Sequence, residues 1–113
     1  MPKLAANLSM MFNEVEFLDR FDAAADAGFA GVEFLFPYGY EKGELAEKLH
    51  SRGLTQVLHN LPAGNWAAGE RGIACHPDRV GEFQEGVGRA VEYATALGCP
   101  QVNCLAGVAP EGV

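Results

Sequence analysis

Apolar and polar positions change their spacing several times along the chain, and the changes predict alternating strands and helices. Residues 4–10, 29–36, 54–58 and 101–106 form short runs with the length and composition of strands. Between these runs, apolar residues recur every three or four positions, as they do on one face of a helix, in residues 13–27, 41–50 and 77–97. The predicted order is therefore β-α-β-α-β-α-β.

Local signals place the ends of the predicted helices. Asn13, with Glu16 three residues later, predicts a capping box at the start of the first helix. Gly28, Gly53 and Gly98 occupy the positions where helices commonly end. The third predicted helix has an apolar stripe made by Val80, Phe83, Val87, Ala90, Val91, Ala94 and Leu97.

Repeated strand-helix units indicate the fold class. They predict an α/β protein whose parallel strands are joined by right-handed crossovers. Binding sites in such folds lie at the carboxyl ends of the strands. Those ends are followed here by residues 9–12, 36–40, 59–71 and 106–110, so the sequence predicts a site on that rim.

Residues 59–77, HNLPAGNWAAGERGIACHP, form the longest connection in the predicted fold. Connections of this length are uncommon in compact domains and are usually functional. We interpret it as a binding loop, with a surface excursion pinned by Trp66 as the alternative. His59 and Glu70 are the two rim residues suited to general acid–base chemistry, although a histidine at a strand end is often a satisfied structural residue.

Glu33 interrupts the apolar run of the second predicted strand. A carboxylate in such a run must be paired, hydrogen-bonded or neutralised. It is therefore either a structural hydrogen-bonding residue inside a barrel or part of a site.

Composition and charge exclude several classes of protein. The 113 residues suffice for at most one domain, and the net charge of −7 arises from 8 basic and 15 acidic side chains. Nucleic-acid binding is not expected, because such domains carry a basic face. No apolar stretch has the length of a membrane span, and no signal peptide is recognisable, so we expect a cytoplasmic protein.

Known short motifs for metals, nucleotides and nucleophiles are missing from the sequence. Three cysteines without CxxC spacing predict reduced thiols, and the adjacent pair Cys75-His76 is poorly spaced for a shared metal ion. There is no GxGxxG after the first strand, no phosphate-binding P-loop and no HExxH.

Four segments resemble the hydroxypyruvate isomerase family. They are ANLSMMF (residues 6–12), GVEFLFPY (residues 31–38), PAGNWAAGERGIAC (residues 62–75) and QVNCLAG (residues 101–107). The closely similar 2-oxo-tetronate isomerases share the pattern, and both groups belong to the xylose-isomerase-like TIM barrels. The resemblance implies an isomerase of carbohydrate metabolism that interconverts hydroxypyruvate and tartronate semialdehyde.

The resemblance also implies what the chain contains and lacks. A (β/α)₈ barrel needs ~250 residues, so residues 1–113 would be a single partial barrel domain, with strands 1 to 4 and three helices. The divalent metal (Mg or Mn) and the proton-shuttling glutamates of the family are held by later strands. We therefore expect neither a catalytic residue nor a metal ligand here.

One wall of the substrate pocket remains as the implied contribution of this chain. Arg71 would bind the substrate carboxylate, or alternatively form a salt bridge with Glu70 or Asp78. The residues expected to line the wall, by strand-end position and motif match, are Asn7, His59, Asn60, Trp66, Glu70, Arg71 and Asn103.

Three alternatives for the chain as a whole remain open. It is a piece of the isomerase, a self-standing half-barrel that dimerises, or a non-catalytic α/β binding module. An open sheet with unpaired edges is a liability for a monomer, so we expect a homo-oligomer. Endonucleases share this barrel superfamily, but the acidic balance counts against a nuclease.

Overall fold

Four parallel strands form one sheet in the order β1-β2-β3-β4 in the computed structural model, which describes residues 2–113. The strands are β1 (Ala5–Asn7), β2 (Gly31–Glu33), β3 (Thr55–Asn60) and β4 (Val102–Asn103), and the α-helices are α1 (Arg20–Asp26), α2 (Lys42–Ser51) and α3 (Val80–Leu97). Neighbouring strands pair in parallel throughout, with Asn7 opposite Glu33 and Asn60 opposite Asn103. The predicted α/β class with parallel βα units is confirmed.

The hydrophobic core lies between the sheet and the helices. Right-handed crossovers between successive neighbouring strands place every helix on the same side of the sheet. The core side chains are accordingly contributed by both layers: Ala6, Leu8, Phe21, Ala24, Val32, Phe34, Leu45, Leu49, Leu54, Tyr93, Leu97 and Cys99. The opposite face of the sheet is the inner face of the partial barrel, and no helix covers it in the described residues.

A bulge in β3 decides which side chains reach each face. Val32 pairs with Gln56, but Glu33 pairs with Leu58, so β3 carries one extra residue between these two pairs. Strict alternation would place Gln56 and His59 on opposite faces. The extra residue brings them to the same face, where both are almost fully buried.

The start of α1 differs from the predicted capping box. Asn13 instead donates its side-chain amide to the Met10 carbonyl at 3.0 Å. Helical structure begins later, with a 3-10 turn at Phe17–Asp19 that starts after Glu16. The first residues of the predicted helix instead follow tight turns after β1, in which Phe12 has a φ of 60°.

The strands and the α3 stripe also depart from prediction. All strands except β3 are only two or three residues long, which is shorter than the predicted runs. In α3 the buried residues are Ala90, Tyr93 and Leu97. The predicted stripe residues Val80, Val87 and Val91 are exposed, since no helix packs beyond α3 in the described chain.

Both edges of the sheet are open. Among the described residues, β1 pairs only with β2 and β4 pairs only with β3. Val91, one of the exposed valines of α3, lies next to the β4 edge, where a groove of 460 Å³ runs between Val91 and Val102. None of the helices within residues 2–113 has the length and apolar character needed to cross a membrane.

Candidate functional site

Two polar pairs occupy the inner face at the carboxyl ends of the strands. The Asn7 side-chain amide lies 3.4 Å from the Glu33 carboxylate, and the Asn103 amide donates to the Asn60 side-chain oxygen at 3.0 Å. Adjacent strands hold each pair, because the residues of a pair are directly opposite in the register. The structure thus brings Asn7, Asn60 and Asn103, three of the predicted pocket residues, to one face.

The Tyr38 side chain fixes the backbone beside the Asn60 pair. Its hydroxyl donates to the Asn60 carbonyl, and burial raises the pKa of this phenol well above its ordinary value. Arg89 of α3 stacks over the Tyr38 ring and donates to the Tyr38 carbonyl at 2.9 Å. Neither Tyr38 nor Arg89 was among the predicted pocket residues, since only the fold brings α3 to the β2–α2 loop.

The loop of residues 61–76 is ordered by its own polar groups. Asn65 caps a 3-10 turn at Trp66–Ala68, because its side-chain oxygen accepts from the Ala68 amide at 3.1 Å. The Glu70 carboxylate accepts a hydrogen bond from the backbone amide of Asn65 at 2.6 Å. The Trp66 ring packs edge-on against Phe36 with centroids 5.0 Å apart. The loop is therefore a preformed part of the rim.

Glu70 forms an ion pair and does not fit an acid–base role. Both of its carboxylate oxygens accept from the Arg79 guanidinium, one of them at 3.2 Å. The hydrogen bonds from Arg79 lower the pKa of Glu70 to about 2. The carboxylate is therefore a weak base that is already engaged by Arg79, which disfavours an acid–base role for Glu70. No local sequence pattern signalled Arg79, which lies just before α3.

Arg71 is held in a fixed orientation on the rim. Its guanidinium lies 3.9 Å from the centroid of the Trp66 ring. One terminal nitrogen donates to the Trp66 and Glu70 carbonyls at 3.0 and 2.8 Å. Arg71 forms no salt bridge with Glu70 or Asp78 within residues 2–113, so that alternative is wrong. The Glu70 carboxylate pairs with Arg79 instead.

His59 points away from the rim. Its ring is fully buried between the sheet and α3, and its Nε2 lies 3.3 Å from the Ala90 carbonyl. Burial lowers the pKa of this imidazole, so the ring is neutral at pH 7. The placement supports the structural interpretation of His59 over the acid–base one, and the bulge in β3 is the reason.

Two glycines allow the rim loop to touch the segment after β4. Gly72, at a φ of 110°, and Gly107, at a φ of 104°, approach so closely that a side chain on either would overlap the other segment's backbone. The Cys75 amide donates to the Ala106 carbonyl at 2.9 Å beside this crossing. The later part of the loop is therefore anchored to the segment that follows β4.

Within residues 2–113, no three His, Cys, Asp or Glu side chains converge as metal ligands do. Neighbouring Cys75 and His76 likewise join no such group in the described part of the chain.

Comparison with known proteins identifies the family. A family model described as "Xylose isomerase-like TIM barrel" matches residues 21–113. The chain belongs to this family. The chain is 57% identical over 112 residues to the hydroxypyruvate isomerase of Escherichia coli, covering 99% of this chain and 43% of that protein. The same identity and coverage relate it to the 2-oxo-tetronate isomerase of Pectobacterium atrosepticum.

A solved relative shows the same backbone. A crystal structure described as AP endonuclease, family 2, from Brucella melitensis superposes with a TM-score of 0.95 and 53% identity, covering 100% of this chain and 43% of that one. The chain thus spans less than half the length of the relatives it matches. The barrel resemblance and the partial-barrel architecture are confirmed.

Proposed function

We propose that this chain supplies about half of an isomerase barrel that interconverts hydroxypyruvate and tartronate semialdehyde. The observation that carries the proposal is the 57% identity to the E. coli hydroxypyruvate isomerase across 99% of this chain. The alternative substrate is a 2-oxo-tetronate, because a relative of that name is equally similar. Both are small hydroxy-keto acids.

The rim and the inner face have the groups that such a substrate requires. Arg71 offers a guanidinium with one free edge, since stacking and two carbonyl contacts orient the other side. A guanidinium binds a carboxylate in bidentate fashion. Asn60 and Asn103 provide carboxamides that can hydrogen-bond the carbonyl and hydroxyl oxygens of the substrate.

The divalent metal that the resemblance implies, Mg or Mn, is proposed to bind to residues of later strands of the barrel. No cluster within residues 2–113 fits a metal ion, so we derive no catalytic step through one. The same holds for the proton-transferring carboxylates. The role proposed for this chain is to bind and orient the substrate.

Self-association and a cytoplasmic location are part of the proposal. The open β1 and β4 edges and the exposed side chain of Val91 would be covered in a homo-oligomer, which is the expected state of the chain on its own. The cysteines Cys75, Cys99 and Cys104 are free thiols, which are typical of a reducing compartment. Light scattering on the purified chain measures the oligomeric state, and a monodisperse monomer would contradict that part.

A chimaera tests the proposed activity. This chain replaces the matching segment of the E. coli hydroxypyruvate isomerase, and turnover of hydroxypyruvate and of 2-oxo-tetronate is compared with that of the unaltered E. coli enzyme. We expect hydroxypyruvate turnover within about tenfold of the parent. Preference for 2-oxo-tetronate would favour the alternative, and absence of both activities from a folded chimaera would refute the proposal.

A nuclease is the competing function suggested by the description of the Brucella melitensis structure. The net charge of −7 disfavours it, because binding to a phosphate backbone relies on basic side chains. Cleavage of a duplex with one abasic site by the same chimaera, without isomerase activity, would establish it instead.

A further inference from the structure

Glu33 is the one inner-face carboxylate that the proposed function does not yet use. It is the last residue of β2, half-buried, and directly opposite Asn7 of β1. Its hydrogen bond from the Asn7 amide is long, at 3.4 Å. Across the described part of the chain it has no ion-pair partner.

Asn7, which lies opposite Glu33 on β1, makes a second contact of its own. Asn7 is oriented towards Glu33, because the Asn7 side-chain oxygen accepts from the Ser9 amide at 3.0 Å. An ionised carboxylate can accept about four hydrogen bonds, so Glu33 retains most of its acceptor capacity at the end of the barrel where ligands bind.

A carboxylate in an enclosed site repels a second carboxylate and attracts a hydroxyl donor. Glu33 therefore favours the hydroxyl end of a hydroxy-keto acid over its carboxylate end. Resting on the proposed function, we infer that Glu33 accepts a hydrogen bond from the terminal hydroxyl of the substrate. The substrate carboxylate then faces away from β1 and β2.

Two ligands that differ only in this hydroxyl test the inference. Binding of hydroxypyruvate and of pyruvate to the chimaera is measured by calorimetry in a buffer with Mg²⁺, before and after Glu33→Gln. Because the substitution removes a hydrogen bond to a charged acceptor, the Kd of hydroxypyruvate should rise about 10- to 100-fold. The Kd of pyruvate should stay within about twofold, since pyruvate lacks the hydroxyl.

Glu85→Gln is the matched control, because it removes the same charge from an exposed position on α3. It should alter neither Kd. If Glu33→Gln does not fold, Glu33→Asp keeps the charge and withdraws it by about one methylene, and should again weaken only hydroxypyruvate.

The outcomes separate this inference from the proposed function. If Glu33 merely pairs with a cation from the rest of the barrel, its substitution will weaken both ligands alike or neither, which overturns the inference. Failure to bind hydroxypyruvate at all also overturns it. A chimaera that binds hydroxypyruvate selectively through Glu33 but does not isomerise it refutes the proposed reaction alone.

Discussion

Gly72→Ala should destabilise the fold strongly, because Gly72 lies where the rim loop packs against the segment that follows β4. Gly72 has a φ of 110°, which L side chains rarely adopt. A Cβ built there would overlap the Leu105 carbonyl and lie 2.8 Å from the Leu105 Cβ. The Leu105 carbonyl cannot easily move away, because the next residue, Ala106, accepts from the Cys75 amide at 2.9 Å.

The size of the effect follows from two costs. Holding a non-glycine residue at such a φ costs about 1–3 kcal/mol. Forcing extra atoms into a packed contact costs about 1–3 kcal/mol more. We therefore expect Gly72→Ala to lower the free energy of unfolding by at least ~2 kcal/mol, a large part of the ~5–15 kcal/mol of an ordinary domain.

Gly88→Ala is the control, with the same change in composition and the opposite expected sign. Gly88 lies inside α3, and a Cβ there would meet no atom within 4 Å. Alanine should therefore stabilise by about 0.5–1 kcal/mol. Urea unfolding of the purified chain, followed by circular dichroism and by Trp66 fluorescence, measures both. A Gly72→Ala midpoint at or above that of Gly88→Ala would refute the reasoning.

Three further predictions concern buried or paired polar groups. Burial lowers the pKa of His59, so the unfolded state binds the proton more readily than the folded state does. The urea midpoint should therefore fall as the pH drops below about 6.5. His50→Gln, at an exposed site, should leave that fall unchanged. Arg79 lowers the pKa of Glu70 to about 2, so the ion pair should stabilise the fold above about pH 4.5 and lose this effect between pH 4.5 and 2. Glu70→Gln should therefore flatten the pH dependence of the urea midpoint in that window. Tyr93→Phe removes the donor of a 2.6 Å hydrogen bond to a loop carbonyl and should cost about 0.5–1.5 kcal/mol in thermal unfolding; an unchanged Tm would contradict the contact.

The periodic pattern was a sound guide where packing is local. Leu45 and Leu49, one turn apart in α2, are buried as a helical stripe requires. Gly28 and Gly98 have positive φ at helix ends, at 95° and 64°. These features depend on the backbone of a few consecutive residues, and their signals therefore appear in the sequence itself.

The same pattern misplaced residues whose surroundings come from distant segments. Val87 and Val91 have the spacing of a buried face, yet they are exposed because no further element packs on α3 in the described chain. Tyr93 is polar by type but is buried, because its hydroxyl reaches the Tyr40 carbonyl 53 positions away. Periodicity reports that a face is apolar, and only the neighbours determine whether it is covered.

The sequence by itself determined the class of fold and the family, and it predicted the rim on which a site would lie. Short-range spacing and recognisable segments carry that information. The tertiary structure alone decided what surrounds His59, Glu70 and Glu33. A single extra residue in β3 turns the His59 side chain towards α3. The Arg79 guanidinium pairs with the Glu70 carboxylate. Register and long-range pairing set those outcomes, because side-chain direction and charge partners depend on segments far apart in the chain.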